Sequence, residues 1–330
     1  MLQARTVVSN YTDTQPIAGS WFEFQHHNRA EGVYWNPACA LFDAAAWHTK
    51  VGEMAAIGLE YLVLMAVALD HKTFYPSRLL PAWEMACPDP LEALLQATDD
   101  HGIKVFVGNG FWGQWDSPGI IADARAHRLD AMEELASQYA HHASFYGWYW
   151  ANEAGINGLF NEAFIDYARE CSRRARALMP HAPTMIAPYG TNTVQADEAF
   201  ARQLEAMEVD IVAYQDEIGV QKSTVEQTPG YYEVLRRVHD QVPQVRLWAD
   251  VEIFEFEGAV YKSALLPAPF ARVQRQLEAV SPYVDRILVY QALGMTNAPD
   301  SPVLAGHEDS TALYSDYARW LRHHHPDRLR

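Results

Sequence analysis

Eight times along the chain a short run rich in β-formers is followed by an amphipathic helical pattern, and this alternation constrains the fold more than any other feature. The runs fall at 17–24, 61–69, 103–107, 145–151, 183–187, 210–214, 245–251 and 286–291. Most are continuously apolar, as expected of parallel strands covered on both faces. Between them lie stretches such as "FDAAAWHTKVGEMAAIG", "PLEALLQATDDHG" and "FARVQRQLEAVSP", and "ALYSDYARWLRHHH" closes the series. Apolar residues recur in these stretches at helical spacing. The expectation is an α/β protein, a single (β/α)8 barrel over residues 1–330. A doubly wound sheet would more often place a glycine-rich phosphate loop after its first strand, and "FEFQHHNRAEG" is not one.

The connections are unequal. Helix-to-strand links are short ("GLE", "HG", "HHAS", "HAP"). Several strand-to-helix links are long and aromatic, among them "QHHNRAEGVYWNPACA", "GNGFWGQWDSPG" and "EIFEFEGAVYKSALLPAP". In a barrel the long links gather at the C-terminal face, where active sites are built.

Acidic residues stand where the strands meet those links. Glu153 follows the fourth run in "GWYWANEAG", and the next helix begins only near Asn161, so Glu153 is not a first-turn helix residue. Asp216 and Glu217 follow the sixth run. In the seventh, Trp248, Asp250 and Glu252 alternate onto one face, with Asp250 one layer deeper than Glu252. Paired carboxylates at a barrel mouth suit glycoside hydrolysis: one must carry a proton for the leaving oxygen, and the other must be an anion that attacks the anomeric carbon or activates water. Catalytic candidates are therefore Glu153, Glu252 and Asp216. Asn152, Gln215, Asp250 and Gln291 are expected near substrate. Trp35, Trp112, Trp115, Trp150, Trp248 and Tyr189 are candidate stacking platforms for sugar rings, with core packing as the other reading.

The motifs carry a resemblance. "WYWANE" followed by "LWADVE" resembles the clan of retaining glycosidases that includes the family 5 cellulases and mannanases. "GWY…E", "YQDEIG" and "LWADVEIFE" together resemble more closely an uncharacterised bacterial group of glycosidase-like barrels, in which the strand-6 acid, here Asp216, belongs to the signature. The resemblance implies an acid/base role for Glu153, a substrate contact for Asn152 and a nucleophile role for Glu252. Two positions differ from the clan. Gln291 stands where it often has Trp, and Gln215-Asp216 replace a lone aromatic or His.

Other classes fit less well. A formal charge of -17 disfavours nucleic acid and anionic membrane as partners. No apolar run approaches the roughly 18 residues of a membrane span, and the N-terminus carries no signal-peptide pattern, so a cytoplasmic location is expected of the chain as written. Three scattered cysteines make neither a disulfide framework nor a zinc-cysteine motif. No cofactor or metal motif is evident, and the expected ligand is a carbohydrate. Two alternatives stand beside a hydrolase: a sugar isomerase or epimerase with a divalent metal on Glu153, Asp216 and Glu252, and a barrel that binds carbohydrate without turnover.

Overall fold

The computed structural model describes residues 14–112, 120–153 and 155–329. Eight parallel strands close into a barrel: β1 (Gly19–Phe22), β2 (Tyr61–Leu64), β3 (Lys104–Gly108), β4 (Phe145–Tyr149), β5 (Thr184–Ile186), β6 (Ile211–Gln215), β7 (Arg246–Glu252) and β8 (Arg286–Tyr290). Each pairs with its neighbour in sequence, and β8 returns to β1. All eight expected runs became barrel strands. The apolar character of the runs has its cause here, because one face of each strand fills the barrel and the other meets a helix.

Among the described residues, eight helices of nine residues or more surround the strands: α1 (Ala44–Ala56), α2 (Pro90–His101), α3 (Ile120–Tyr139), α4 (Glu162–Leu178), α5 (Glu198–Ala206), α6 (Thr228–His239), α7 (Phe270–Val280) and α8 (Ser310–His324). Several acids and amides near their starts are caps. Asp43, Asp89, Asn161 and Asp197 each accept a hydrogen bond from the backbone N–H three residues on, at 2.8–3.0 Å. Glu153 lies outside this group, eight residues before the Asn161 cap.

The barrel interior is layered. At its floor Trp248 packs edge-to-face on Tyr61 and Phe106, with ring centroids 5.2 and 6.0 Å apart. Trp21 meets Tyr149 edge-to-face at 5.9 Å. Along β7, Asp250 and Glu252 then climb from Trp248 toward the mouth on the same face. Gly108 ends β3 where a Cβ would fall 2.3 Å from the carbonyl oxygens of Leu64 and Met65, so only glycine lets β2 and β3 close at this height.

Two long loops join to form one wall of the mouth. The link after β7 folds into a two-stranded ribbon, Phe254–Phe256 against Leu265–Pro267. The link after β1 is held to it by Leu265 N to Glu31 O (3.2 Å), Asn28 Nδ2 to Tyr261 O (3.1 Å) and Tyr34 Oη to Glu257 (2.9 Å).

Candidate active site

Inside that wall lies a cavity of about 370 Å³ at the C-terminal mouth of the barrel. Glu153, Asp250 and Glu252 line it together with Gln215, Tyr189 and Lys222. His26, His27, Glu31, Tyr261 and Tyr290 complete much of its other side.

Glu153 is open to the cavity but walled around by protein. Burial is the main cause that raises its pKa to about 7; a hydrogen bond from Gln215 opposes this, and the charge of Glu23 adds to it. A ligand that displaces water from the cavity completes the desolvation.

Glu252 is fixed from behind. Its Oε2 accepts from Val220 N at 2.8 Å, and its own backbone is held through Glu252 N to Asp216 (3.1 Å) and through Gln276 and Arg272, which both donate to Glu252 O at 3.0 Å. Burial and the neighbouring charge of Asp216 raise its pKa well above the ordinary carboxylate range, against the N–H donors that favour the anion. Asp250 is shifted the same way by burial and by the charges of Glu252, Glu153 and Asp216. Its Oδ1 has no hydrogen-bond partner among the described residues.

Asp216 is not on the cavity wall. Its buried carboxylate accepts from Gln276 Nε2 (2.7 Å), Glu252 N (3.1 Å) and Ile218 N (3.3 Å). Burial raises its pKa to about 6, against these donors, which favour its anion. Its contacts are those of a residue that positions Glu252. The next acid, Glu217, accepts from Gly190 N and Thr191 N at 2.9 and 3.0 Å and faces Lys222 at 3.6 Å. Lys222 in turn lies over the Tyr189 ring at 5.0 Å and the Tyr261 ring at 5.8 Å.

The first loop brings a second cluster to the cavity. Asn36 clamps His26 through both backbone groups, at 2.6 and 3.1 Å. The His26 ring then bridges Glu23 (Nδ1, 2.6 Å) and Glu31 (Nε2, 3.0 Å), and Tyr290 Oη donates to Glu23 at 2.5 Å. Burial disfavours a charge on His26, but the charge of Glu23 and hydrogen bonds to both carboxylates outweigh it and raise its pKa to about 9. Burial, reinforced by the His26 charge, presses His27 down to about 3.

A family model described as a domain of unknown function, DUF4434, matches residues 17–303. The chain belongs to the DUF4434 family. A comparison with curated proteins found no match. Among solved structures, the fold is similar to a "putative alpha-L-fucosidase" from Bacteroides thetaiotaomicron, at TM-score 0.74 and 16% identity over 98% of both chains. It is also similar to a beta-galactosidase from Halorubrum lacusprofundi, at TM-score 0.61 and 14% identity over 93% of this chain and 57% of that one. A beta-D-glucuronidase from Dictyoglomus thermophilum gives TM-score 0.56 and 13% identity, over 92% and 50%. At these identities the likeness is one of fold: the DUF4434 chain shares the barrel architecture of these proteins.

Of the described residues expected near substrate, Gln215, Tyr189 and Asp250 line the cavity of this DUF4434 barrel, and the others do not. Trp150 is fully buried, and its indole N–H donates to Ser172 on α4 at 3.2 Å. Trp112 is 2% exposed and donates to Asn109 O at 2.5 Å. Trp248 forms the barrel floor, and Trp35 packs behind His26 and against Gly294. Asn152 is buried off the wall. Gln291 is fully buried and neither of its amide atoms has a partner among the described residues, whereas its neighbour Tyr290 faces the cavity. The strand period of two separates them, so the place expected for Gln291 is taken by Tyr290. Trp115 lies outside the described residues.

The sequence reading passed over Glu23, Glu31, Tyr290, Lys222 and Tyr261. Glu23 stands near the end of the first run in "FEFQHH", as Glu153 stands just past the fourth, and that parallel was the available signal. Among the described residues, three metal-compatible side chains converge within 4.8 Å at Glu23/His26/His27 and at Glu92/His141/His142. Glu153, Asp216 and Glu252 are not such a set.

Proposed function

We propose that this protein is a retaining glycoside hydrolase in which Glu153 is the general acid/base and Glu252 the nucleophile. The observation that carries this reading is that both glutamates line one cavity at the C-terminal mouth, from the ends of β4 and β7. The substrate class is a carbohydrate, and Gln215, Asp250, Tyr189 and Tyr290 are placed to meet its hydroxyls and ring.

In the first step Glu252 attacks the anomeric carbon while the Glu153 proton passes to the leaving oxygen; the glycosidic C–O bond breaks and a glycosyl ester on Glu252 forms. In the second, Glu153 takes a proton from water as the water oxygen attacks the anomeric carbon. The ester bond breaks and the Glu252 carboxylate is restored. A pKa of about 7 keeps Glu153 partly protonated at neutral pH, as a general acid requires. Burial and the charges of their acidic neighbours raise the pKa values of Asp250 and Glu252, and positive charge at the anomeric carbon in the transition state favours the anion on Glu252. The partner of Glu153 is assigned as Glu252 rather than Asp216 because Asp216 is turned away from the cavity into Gln276.

The test is a panel of chromogenic aryl glycosides, with the first-formed anomer followed by NMR. Turnover with retained configuration is expected. An inverted first product would sink the nucleophile role of Glu252, and sugar binding without turnover across the panel would sink the hydrolase reading.

A further inference from the structure

We propose that Glu23, His26 and His27 form a binding site for one first-row divalent cation of the zinc or cobalt class, on the wall of the cavity. The three side chains come from the end of β1 and the turn after it, and one donor atom from each lies within 4.8 Å of the other two. Two imidazoles and one carboxylate are a borderline donor set, which suits zinc and its neighbours and not magnesium or calcium.

Three features of the surroundings support the site. Glu23 and His26 are both 2% exposed, so the donors are preplaced by packing. The far nitrogen of His26 is held by Glu31 at 3.0 Å, and Glu31 is itself held by Asn28 at 2.6 Å. A carboxylate on the outer nitrogen is the arrangement that orients a metal-binding imidazole and fixes which nitrogen is presented to the ion. Finally, His26, His27 and Glu31 line the cavity, so coordination positions not filled by protein face it.

The fit needs a small movement. Zinc bonds of about 2.0–2.2 Å at tetrahedral angles put donor atoms roughly 3.4 Å apart. His26 Nδ1 and Glu23 Oε2, now hydrogen-bonded at 2.6 Å, must part by less than an ångström, and His27 must close in from the other side. The ion takes the position of the proton shared between them. The second convergent group is poorer. His141 is exposed and the Glu92 side chain is 45% exposed, so packing does not preplace these donors.

The site stands apart from the Glu153 and Glu252 assignment, and its test needs no substrate. The full chain is stripped with chelator and titrated with ZnCl2 by calorimetry, then with CoCl2 by visible absorption. One ion per chain is expected, with the cation-free melting temperature of each variant as the check on folding. His27→Ala, on the cavity wall, weakens uptake at least about tenfold, as does Glu23→Gln. His141→Ala and a His323→Ala, His325→Ala variant of the terminal histidine run leave it unchanged. If Glu23→Gln fails to fold, His27→Ala decides alone. No uptake, uptake unaffected by His27→Ala, loss on changing His141 or the terminal run, or equal binding of MgCl2 would each overturn the site.

Discussion

The barrel holds two copies of one chemical arrangement, an imidazole between two carboxylates, in different settings. At the C-terminal mouth His26 bridges Glu23 and Glu31. Beside the N-terminal end of β4, His142 bridges Asp99 at 2.7 Å and Glu92 at 3.1 Å. The second cluster is a tie between elements: Asp99 also accepts from Ser144 N at 2.6 Å, which fastens α2 to the chain entering β4. The first faces a cavity, receives Tyr290 and places a charge within reach of Glu153. Similar side chains thus tie elements together at one end of the barrel and face a cavity at the other, and what separates them is the space they face.

Substitutions sharpen the contrast. Glu153→Gln, at the mouth, is expected to lower kcat by about 10²–10⁴-fold with the thermal melt unchanged. Near-full activity in a folded variant would remove Glu153 from the chemistry. With Glu153 as the proposed proton donor, the rate should also fall as pH rises through about 7, close to tenfold per unit beyond it. A pH–rate profile flat from 7 to 9 would break the assignment.

At the other end, His142→Ala should cost about 1–3 kcal/mol of stability by urea melts and leave kcat/KM near the parent value. A large activity loss with full stability would erase the distinction between the ends. The smallest effect concerns pH. Burial lowers the His142 pKa, but hydrogen bonds to Asp99 and Glu92 and their charges outweigh it and raise the folded value. Its contribution is therefore fully present below the unfolded value near 6.5 and fades as pH rises through the folded one. The stability gap between parent and His142→Ala should narrow between pH 6 and 9; a gap that widens would contradict the ion-pair account.

The same division separates what could be read in the sequence from what could not. The barrel was legible because apolar runs and helical periods are local signals repeated eight times. Glu153 was legible because it follows a strand with no helix to cap. Trp150 misled because neighbouring residues of a barrel strand face opposite ways. Trp148 and Trp150 share the outer face, with rings stacked 6.4 Å apart, and the intervening Tyr149 points inward. Asp216 looked equivalent to Glu252, but its direction depends on Gln276 from a helix 60 residues on. Lys222 and Tyr261 come from loops without periodicity, and only tertiary contact brings them together.

The three hydrogen bonds that fasten the loop after β1 to the ribbon after β7 carry a consequence for how such barrels diversify. Each loop supplies half of a seam, through Asn28, Glu31 and Tyr34 on one side and Tyr261, Leu265 and Glu257 on the other. Neither can be exchanged by itself without stranding the other's polar groups. Exchanging the two segments together would keep the seam and could reshape the mouth while the strands beneath stay as they are.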